Sequence, residues 1–157
     1  MKEQTENTTH VLAIDPGCQM SAWLSYSGEI GEFRKDSNDA ILEMVRQRGP
    51  RFQHDHLAIE MIASYGMPVG KEVFETVLWI GRFIEAWNGP YTLIYRKDVK
   101  LHLCGSVRAK DANVRHALLD RFGPQGTKAS PGATYGISRD VWSALAVAVT
   151  HGDLNGN

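Results

Sequence analysis

Two acidic residues directly follow short apolar runs that are typical of buried strands. Asp15 follows Val11–Ile14, and Glu60 follows Leu57–Ile59. A third acidic residue, Asp140, stands in the first turn of an apolar C-terminal segment. Burying a carboxylate is unfavourable unless a positive charge compensates, and repulsion between converging carboxylates adds to the cost. Together the three residues would suit Mg²⁺ or Mn²⁺, which prefer carboxylate oxygens as ligands.

Each acidic residue also has a purely structural interpretation. In that interpretation Asp15 begins a turn before Pro16, Glu60 faces solvent, and Asp140 complements a helix dipole. If the strands of Asp15 and Glu60 are neighbours, however, their side chains lie together and Asp140 can reach them. Two metal ions, about 3.5–4 Å apart, could then activate a water molecule and stabilise the leaving oxygen of a phosphodiester.

The surrounding pattern predicts an α/β sheet that positions these residues. Strands are predicted at Val11–Ile14, Met20–Tyr26, Glu29–Arg34, His56–Met61 and Tyr91–Tyr95, the first three forming an antiparallel meander. Helices are predicted after a Ser37 cap, over Lys71–Asn88, over Lys97–Cys104, from an Asp111 cap to Gly123, and after a Ser138 cap.

Length and composition favour one soluble domain over residues 1–157, with flexible ends at 1–9 and 153–157. A chain of 157 residues buries roughly 70% of its unfolded surface. The longest apolar runs are far shorter than the ~20 residues of a membrane span. The start, MKEQTENTTH, lacks the apolar centre of a secretory signal, so we expect a cytoplasmic protein.

Net charge gives no general attraction to nucleic acid, but one segment is locally basic. The chain carries a formal charge of -1. Between Arg96 and Arg115, six basic residues stand against two acidic ones. This segment fits either a nucleic-acid-binding surface or an ordinary solvated face.

The segment Lys71–Asn88 has more apolar surface than a helix on one sheet face requires. A stripe of apolar residues at helical spacing is widened on one side by a second group that includes Gly81. The stripe is Val73, Val77, Ile80, Ile84 and Trp87, and the second group is Phe74, Leu78 and Gly81. The pattern fits either core packing alone or a helix that also pairs with its copy in a homodimer.

Four segments, in order, resemble the RuvC family of Holliday junction resolvases in the ribonuclease H superfamily. They are VLAIDPG, LAIEMI, DVKLHLCGSVRAKDANVRHALLDRF and DVWSALAVAVTHG. The resemblance covers Val11–Gly152 and is strongest to phage and prophage variants. It implies a ribonuclease H-like fold with a mixed five-stranded sheet and helices on both faces. It also implies a homodimeric, Mg²⁺- or Mn²⁺-dependent endonuclease that cleaves four-way junctions in the cytoplasm of a bacterial or phage-infected cell.

The resemblance also assigns roles to individual residues. Asp15 and Glu60 match two metal ligands of the family, and Asp140 matches the earlier of two metal-binding positions on the last helix. The later position holds Ser143, a departure from the family pattern that leaves two alternatives: Asp140 alone completes the site from this helix, with Ser143 holding a metal-bound water, or the second metal is bound more weakly. With these ligands the family mechanism implies two metal ions in each subunit.

DNA contacts are assigned to the basic segment and one aromatic residue. Lys100 and Lys110 match two lysines that contact phosphate, with Lys110 compensating the negative charge that develops in the reaction. We add Arg96 and Arg108 from the basic segment. Ala63 stands where some relatives stack an aromatic ring on a base, and Tyr65 is a possible substitute.

Two other functions compete with this interpretation. One is a junction-binding protein without nuclease activity, which the departure at Ser143 favours. The other is an actin-like nucleotide-binding fold, because such proteins also begin with an acidic strand end followed by glycine. The chain is short for two ATPase lobes and has no glycine-rich phosphate loop, so the actin-like alternative is the weaker one.

Overall fold

The computed structural model describes residues 8–49 and 53–155, which form one sheet with helices on both faces. The strands are β1 (Val11–Asp15), β2 (Met20–Tyr26), β3 (Ile30–Ser37), β4 (His56–Met61) and β5 (Tyr91–Tyr95). The helices are α1 (Asn38–Gln47), α2 (Lys71–Trp87), α3 (Arg96–Cys104), α4 (Asp111–Phe122) and α5 (Asp140–Asn155). None of the described helices combines the length and apolar character of a membrane span.

The sheet is mixed, with strand order β3-β2-β1-β4-β5. β1, β2 and β3 are antiparallel neighbours, whereas β4 is parallel to both β1 and β5. This arrangement confirms the predicted five-stranded mixed sheet and its opening meander. It also makes β1 and β4 neighbours, which is the condition for Asp15 and Glu60 to meet.

Two hydrophobic cores lie on opposite faces of the sheet. α5 packs against the first face, where its segment from Ala144 to Val149 is fully buried together with Ala13, Ala22 and Ala58. Small residues on the strands let this helix approach the sheet closely. α1 and α2 cover the second face, around Phe83 and Trp87.

Several predicted boundaries differ from the observed ones. β3 continues to Ser37 instead of ending at Arg34, and the β2–β3 pairing shifts by one residue between Leu24 and Tyr26. Lys110, not Asp111, is the N-cap of α4, because its backbone N–H donates to the Asn113 side chain. Ser37 caps α1 as predicted, since its hydroxyl accepts from the Ala40 N–H.

The two ends of the chain lie only partly within the described residues. The predicted flexible segment 1–9 is described from Thr8 onward, and residues 156–157 lie outside the described part. Residues 153–155 form the last turn of α5, where Asp153 pairs with Arg121 at 2.6 Å. Asn155 donates to the His151 carbonyl at 2.8 Å in the same turn.

Candidate active site

The register of two parallel strands brings Asp15 and Glu60 together. Ala13 pairs with Ala58 and Ile14 with Ile59, so the next position along sets Asp15 opposite Glu60. Side chains alternate along a strand, and Ala13 and Ala58 face α5. Asp15 and Glu60 therefore point to the α5 side of the sheet. Glu60 does not face solvent, because its Oε2 atom is buried.

Asp140 approaches the same site from the start of α5. The residue before it, Arg139, has a left-handed backbone with φ 45°, which turns the chain sharply into the helix. The Asp140 carboxylate lies close enough to raise the pKa of Asp15. The structure thus places Asp15 and Glu60 side by side, with Asp140 near Asp15 but ion-paired with Lys35.

Burial and mutual repulsion raise the pKa values of the carboxyl groups in the site. Burial, followed by the charges of Glu60 and Asp140, raises the pKa of Asp15 to about 8. Burial also raises the pKa of Glu60, although the nearby Arg96 charge and a hydrogen bond with Asp15 oppose the rise. Without an added cation, the Asp15 carboxyl therefore keeps its proton near neutral pH.

Two side chains of the protein supply positive charge inside the site. Lys35 Nζ forms an ion pair with Asp140 Oδ2 at 2.5 Å. Arg96, the first residue of α3, forms an ion pair with Asp111 and lowers the pKa values of both Asp15 and Glu60. Arg96, which the sequence assigns to DNA binding, thus lies among the carboxylates.

The donor atoms fit a hard divalent cation. Within the described residues, Glu60 Oε2 is buried without a hydrogen-bond partner, next to the Asp15 carboxyl, whose pKa is raised by burial and by the Glu60 charge. The described chain gathers no group of three or more His, Cys, Asp or Glu side chains that could hold a metal ion. Asp140 and Asp111 are instead paired with Lys35 and Arg96.

A cavity of about 370 Å³ lies between α4 and the start of α5, and of the three predicted acidic residues Asp140 is the one that lines it. Asp140 and Ser143 line it from α5, and Arg96 and Asp111 line it from the other side. Arg115 and Arg139 add two further positive charges to its wall. Such a cleft can admit an anionic group to the carboxylate site.

A second cavity adjoins the first through Arg96, and it carries most of the predicted DNA contacts. Its lining is Tyr65, Arg96, Lys97, Lys100 and Val107. Lys100 is near enough to lower the pKa of Glu60. The Tyr65 ring is exposed (60%) on the loop after β4. Arg108 and Lys110 are exposed at the start of α4, outside the linings of both cavities.

Comparison of the whole chain with solved structures shows a shared fold. The structure of Thermus thermophilus RuvC matches with a TM-score of 0.70 and 17% identity, over 90% of this chain and 92% of that one. T. thermophilus RuvC in complex with a Holliday junction substrate matches with a TM-score of 0.71 and 19% identity, over 91% and 92% of the two chains. The chain has a RuvC-like fold.

The RuvC-like fold confirms the ribonuclease H-type architecture that the sequence resemblance implies. At these identities the similarity establishes the fold, and it favours the RuvC resemblance over the actin-like alternative. Neither a protein-family model nor a curated protein matches the sequence.

Sequence reasoning missed Lys35, and it treated Asp111 only as a helix cap. Lys35 lies beyond the predicted end of β3, so nothing in the sequence linked it to the acidic residues. Its position follows from two strand pairings: Asp15 pairs with Ala22, and Ala22 pairs with Lys35. A correct prediction of the β2–β3 register would have placed Lys35 next to the acidic residues.

Proposed function

We propose that this protein is a divalent-metal-dependent endonuclease that cleaves four-way junctions or similarly branched DNA by phosphodiester hydrolysis. The observation that carries the proposal is the closeness of Asp15 and Glu60 at the ends of β1 and β4, where Glu60 Oε2 is buried without a partner among the described residues. A RuvC-like fold supports it, since one of the matching structures is RuvC with a Holliday junction substrate.

Three carboxylates would hold the metal in this proposal. Asp15 and Glu60 face each other, and Asp140 uses Oδ2 for Lys35, so its Oδ1 atom could join them. A bound divalent ion would act as a Lewis acid and lower the pKa of a water molecule. Binding would displace the proton that Asp15 otherwise keeps, so metal affinity should increase with pH.

The basic residues would hold the DNA backbone beside the carboxylates. Lys100 lies close to Glu60 and would bind phosphate, and Lys110 at the start of α4 would compensate negative charge during hydrolysis. Arg108 would add a further phosphate contact. Tyr65, exposed next to Lys100, would stack on an unpaired base at the branch.

A homodimer is proposed because α2 leaves an apolar face uncovered. Ile80 and Trp87 pack into the protein's own core, whereas Phe74 and Leu78 are 65% and 66% exposed. The exposed group therefore consists of Phe74, Leu78 and Gly81, which widen the apolar stripe on one side, together with Val77 of the stripe itself. A two-fold partner on this face would cover it and supply a second site for the second strand of a junction.

A non-catalytic junction-binding protein is the second candidate. Ser143 supplies no charge where a fourth carboxylate would help to bind metal, and Lys35 occupies one oxygen of Asp140. Such a protein would bind branched DNA through the same basic surface and leave it intact.

End-labelled four-way junction, flap and linear duplex DNA, incubated with Mg²⁺, Mn²⁺ or EDTA, distinguish these functions. The endonuclease is expected to nick the junction in metal but not in EDTA, and to cut linear duplex far less. Glu60→Gln is the matched control, because any cleavage that survives it comes from a contaminating nuclease. Junction binding without metal-dependent cleavage would support the second candidate. Equal cleavage of junction and duplex would overturn the proposed branch selectivity.

A further inference from the structure

We infer that Lys35 provides a fixed positive charge in the acidic site, so that a single divalent ion, instead of two, completes it. The inference rests on the proposed function and concerns how the site balances its charge. It assigns Lys35, a residue of β3, to the machinery formed by β1, β4 and α5.

Strand register places Lys35 on the correct face of the sheet. Asp15 of β1 pairs with Ala22 of β2, and Ala22 pairs with Lys35 of β3. Residues paired across neighbouring strands project to the same face, so Lys35 and Asp15 both point towards α5. The intervening residue is alanine and fully buried, and its small side chain leaves room for the lysine to extend over it.

The lysine contacts the site directly. Its Nζ atom lies 2.5 Å from Asp140 Oδ2, and its charge opposes the rise in the pKa of Asp15. The Lys35 and Asp140 side chains are 38% and 49% exposed, so their ion pair lies at the outer edge of the site and is partly screened by water. The ammonium group thus acts on two of the three carboxylates at once.

Charge balance favours one ion. Asp15, Glu60 and Asp140 together carry three negative charges when ionised, which one divalent cation and one lysine neutralise. Arg96 is matched by Asp111, its ion-pair partner. Ser143, which lines the cavity together with Asp140, adds no negative charge for a second ion. With no DNA phosphate in the site, a second divalent cation would leave these groups with excess positive charge.

Counting bound Mn²⁺ tests the inference without relying on activity alone. The electron paramagnetic resonance signal of free Mn²⁺ is titrated with wild-type protein, Lys35→Met, Lys35→Arg and the double variant Lys35→Met/Ser143→Asp. We expect one ion per chain in the wild type and in Lys35→Arg, which keeps the charge. Two ions are expected in the double variant, which removes the lysine and adds a carboxylate.

The single variant Lys35→Met should separate binding from cleavage. Removal of a like charge near the ion should tighten Mn²⁺ binding by about 10-fold, whereas junction cleavage should slow by at least about 10-fold. Arg34→Met is the matched control, because Arg34 pairs with Trp23 and faces the opposite core. It should change neither quantity by more than about twofold.

Three results would overturn the inference. If the wild type binds two Mn²⁺ ions with similar affinity, Lys35 does not take the place of a second ion. The proposed metal-dependent function would remain. If Lys35→Met changes neither Mn²⁺ affinity nor cleavage, the Lys35–Asp140 ion pair has only a structural role. A wild type that binds no Mn²⁺ would overturn the proposed metal-dependent function itself, and the inference with it.

Discussion

Asp15 and Glu60 face each other across neighbouring parallel strands, and their burial and mutual repulsion raise the pKa of Asp15 to about 8. The ordinary value for this carboxyl is 3.8. Between these two pKa values, the folded protein therefore keeps a proton on Asp15 that the unfolded chain has released. Stability that depends on the proton is present at low pH and is lost as pH rises towards 8.

The first prediction is a pH-dependent stability that metal reverses. In EDTA, the melting temperature of the wild type should fall, relative to Asp15→Asn, between about pH 5 and pH 8, because only the wild type must take up a proton at residue 15 when it folds. At pH 8, Asp15→Asn should melt about 2–8 °C higher. Added Mn²⁺ should stabilise the wild type more at pH 8 than at pH 6. Calorimetry at matched buffers measures both effects, and parallel curves for the two proteins would contradict the coupling.

The second prediction concerns the three carboxylates in catalysis. Junction cleavage should fall by at least about 100-fold in each of Asp15→Asn, Glu60→Gln and Asp140→Asn. Changing a residue that only supports a metal ligand already costs up to about 100-fold, and loss of a ligand should cost no less. Junction affinity in EDTA should be kept or improved, since each change removes a negative charge that repels phosphate. Asp39→Asn, on the exposed start of α1, is the control. Full cleavage by Asp140→Asn would exclude this residue from the site.

The third prediction separates the two lysines. Lys100→Ala should mainly weaken junction binding and lower the slope of log affinity against log salt by about one. Lys110→Ala should mainly lower the cleavage rate at saturating DNA. Lys128→Ala, at an exposed lysine that lines neither cavity of the site, should leave both quantities unchanged. Equal effects of Lys100→Ala and Lys110→Ala on both quantities would contradict the separate roles.

The fourth prediction tests the exposed face of α2. Apart from its chain neighbours and the nearby backbone of α2, no described atom lies within 4 Å of the position that a Cβ at Gly81 would take, so Gly81→Glu can fold as a monomer. Light scattering should give 17.5 kDa for this variant and twice that mass for the wild type. Circular dichroism should show the same helix content in both. Paired nicking of a junction should be lost, because one site cuts one strand.

Ala40→Glu is the control for the fourth prediction, since it adds the same charge at an exposed position of α1. It should leave the mass and the paired nicking unchanged. A wild type that is monomeric and still resolves junctions would contradict the dimer.

The central strands could be predicted because their apolar runs stop at residues that favour turns or carry charge. β2, β4 and β5 begin and end where the sequence predicts, and β1 extends by one residue to include Asp15. β3 was predicted too short because it lies at the sheet edge and most of its residues are exposed. An exposed edge strand lacks the apolar pattern that marks its end.

The carboxylate pair could be predicted from the sequence, but the charges around it could not. Asp15 and Glu60 each follow a buried strand, and their meeting requires only that the two strands be neighbours. Lys35 reaches the site through the pairing of two further strands and the docking of α5. Arg96 was assigned to DNA binding because sequence alone does not show that its side chain is 24% exposed and lies close to Glu60.

The one-residue shift in the β2–β3 pairing determines which basic side chain enters the site. On the turn side of the shift, Tyr26 pairs with Ile30. If this register continued without the shift, Arg34 would lie opposite Ala22. Beyond the shift, Ala22 pairs with Lys35. A single insertion or deletion in this hairpin could therefore exchange an ammonium for a guanidinium beside the carboxylates. Backbone length would then alter the metal-ion requirement of the proposed site while all three of its acidic residues stayed the same.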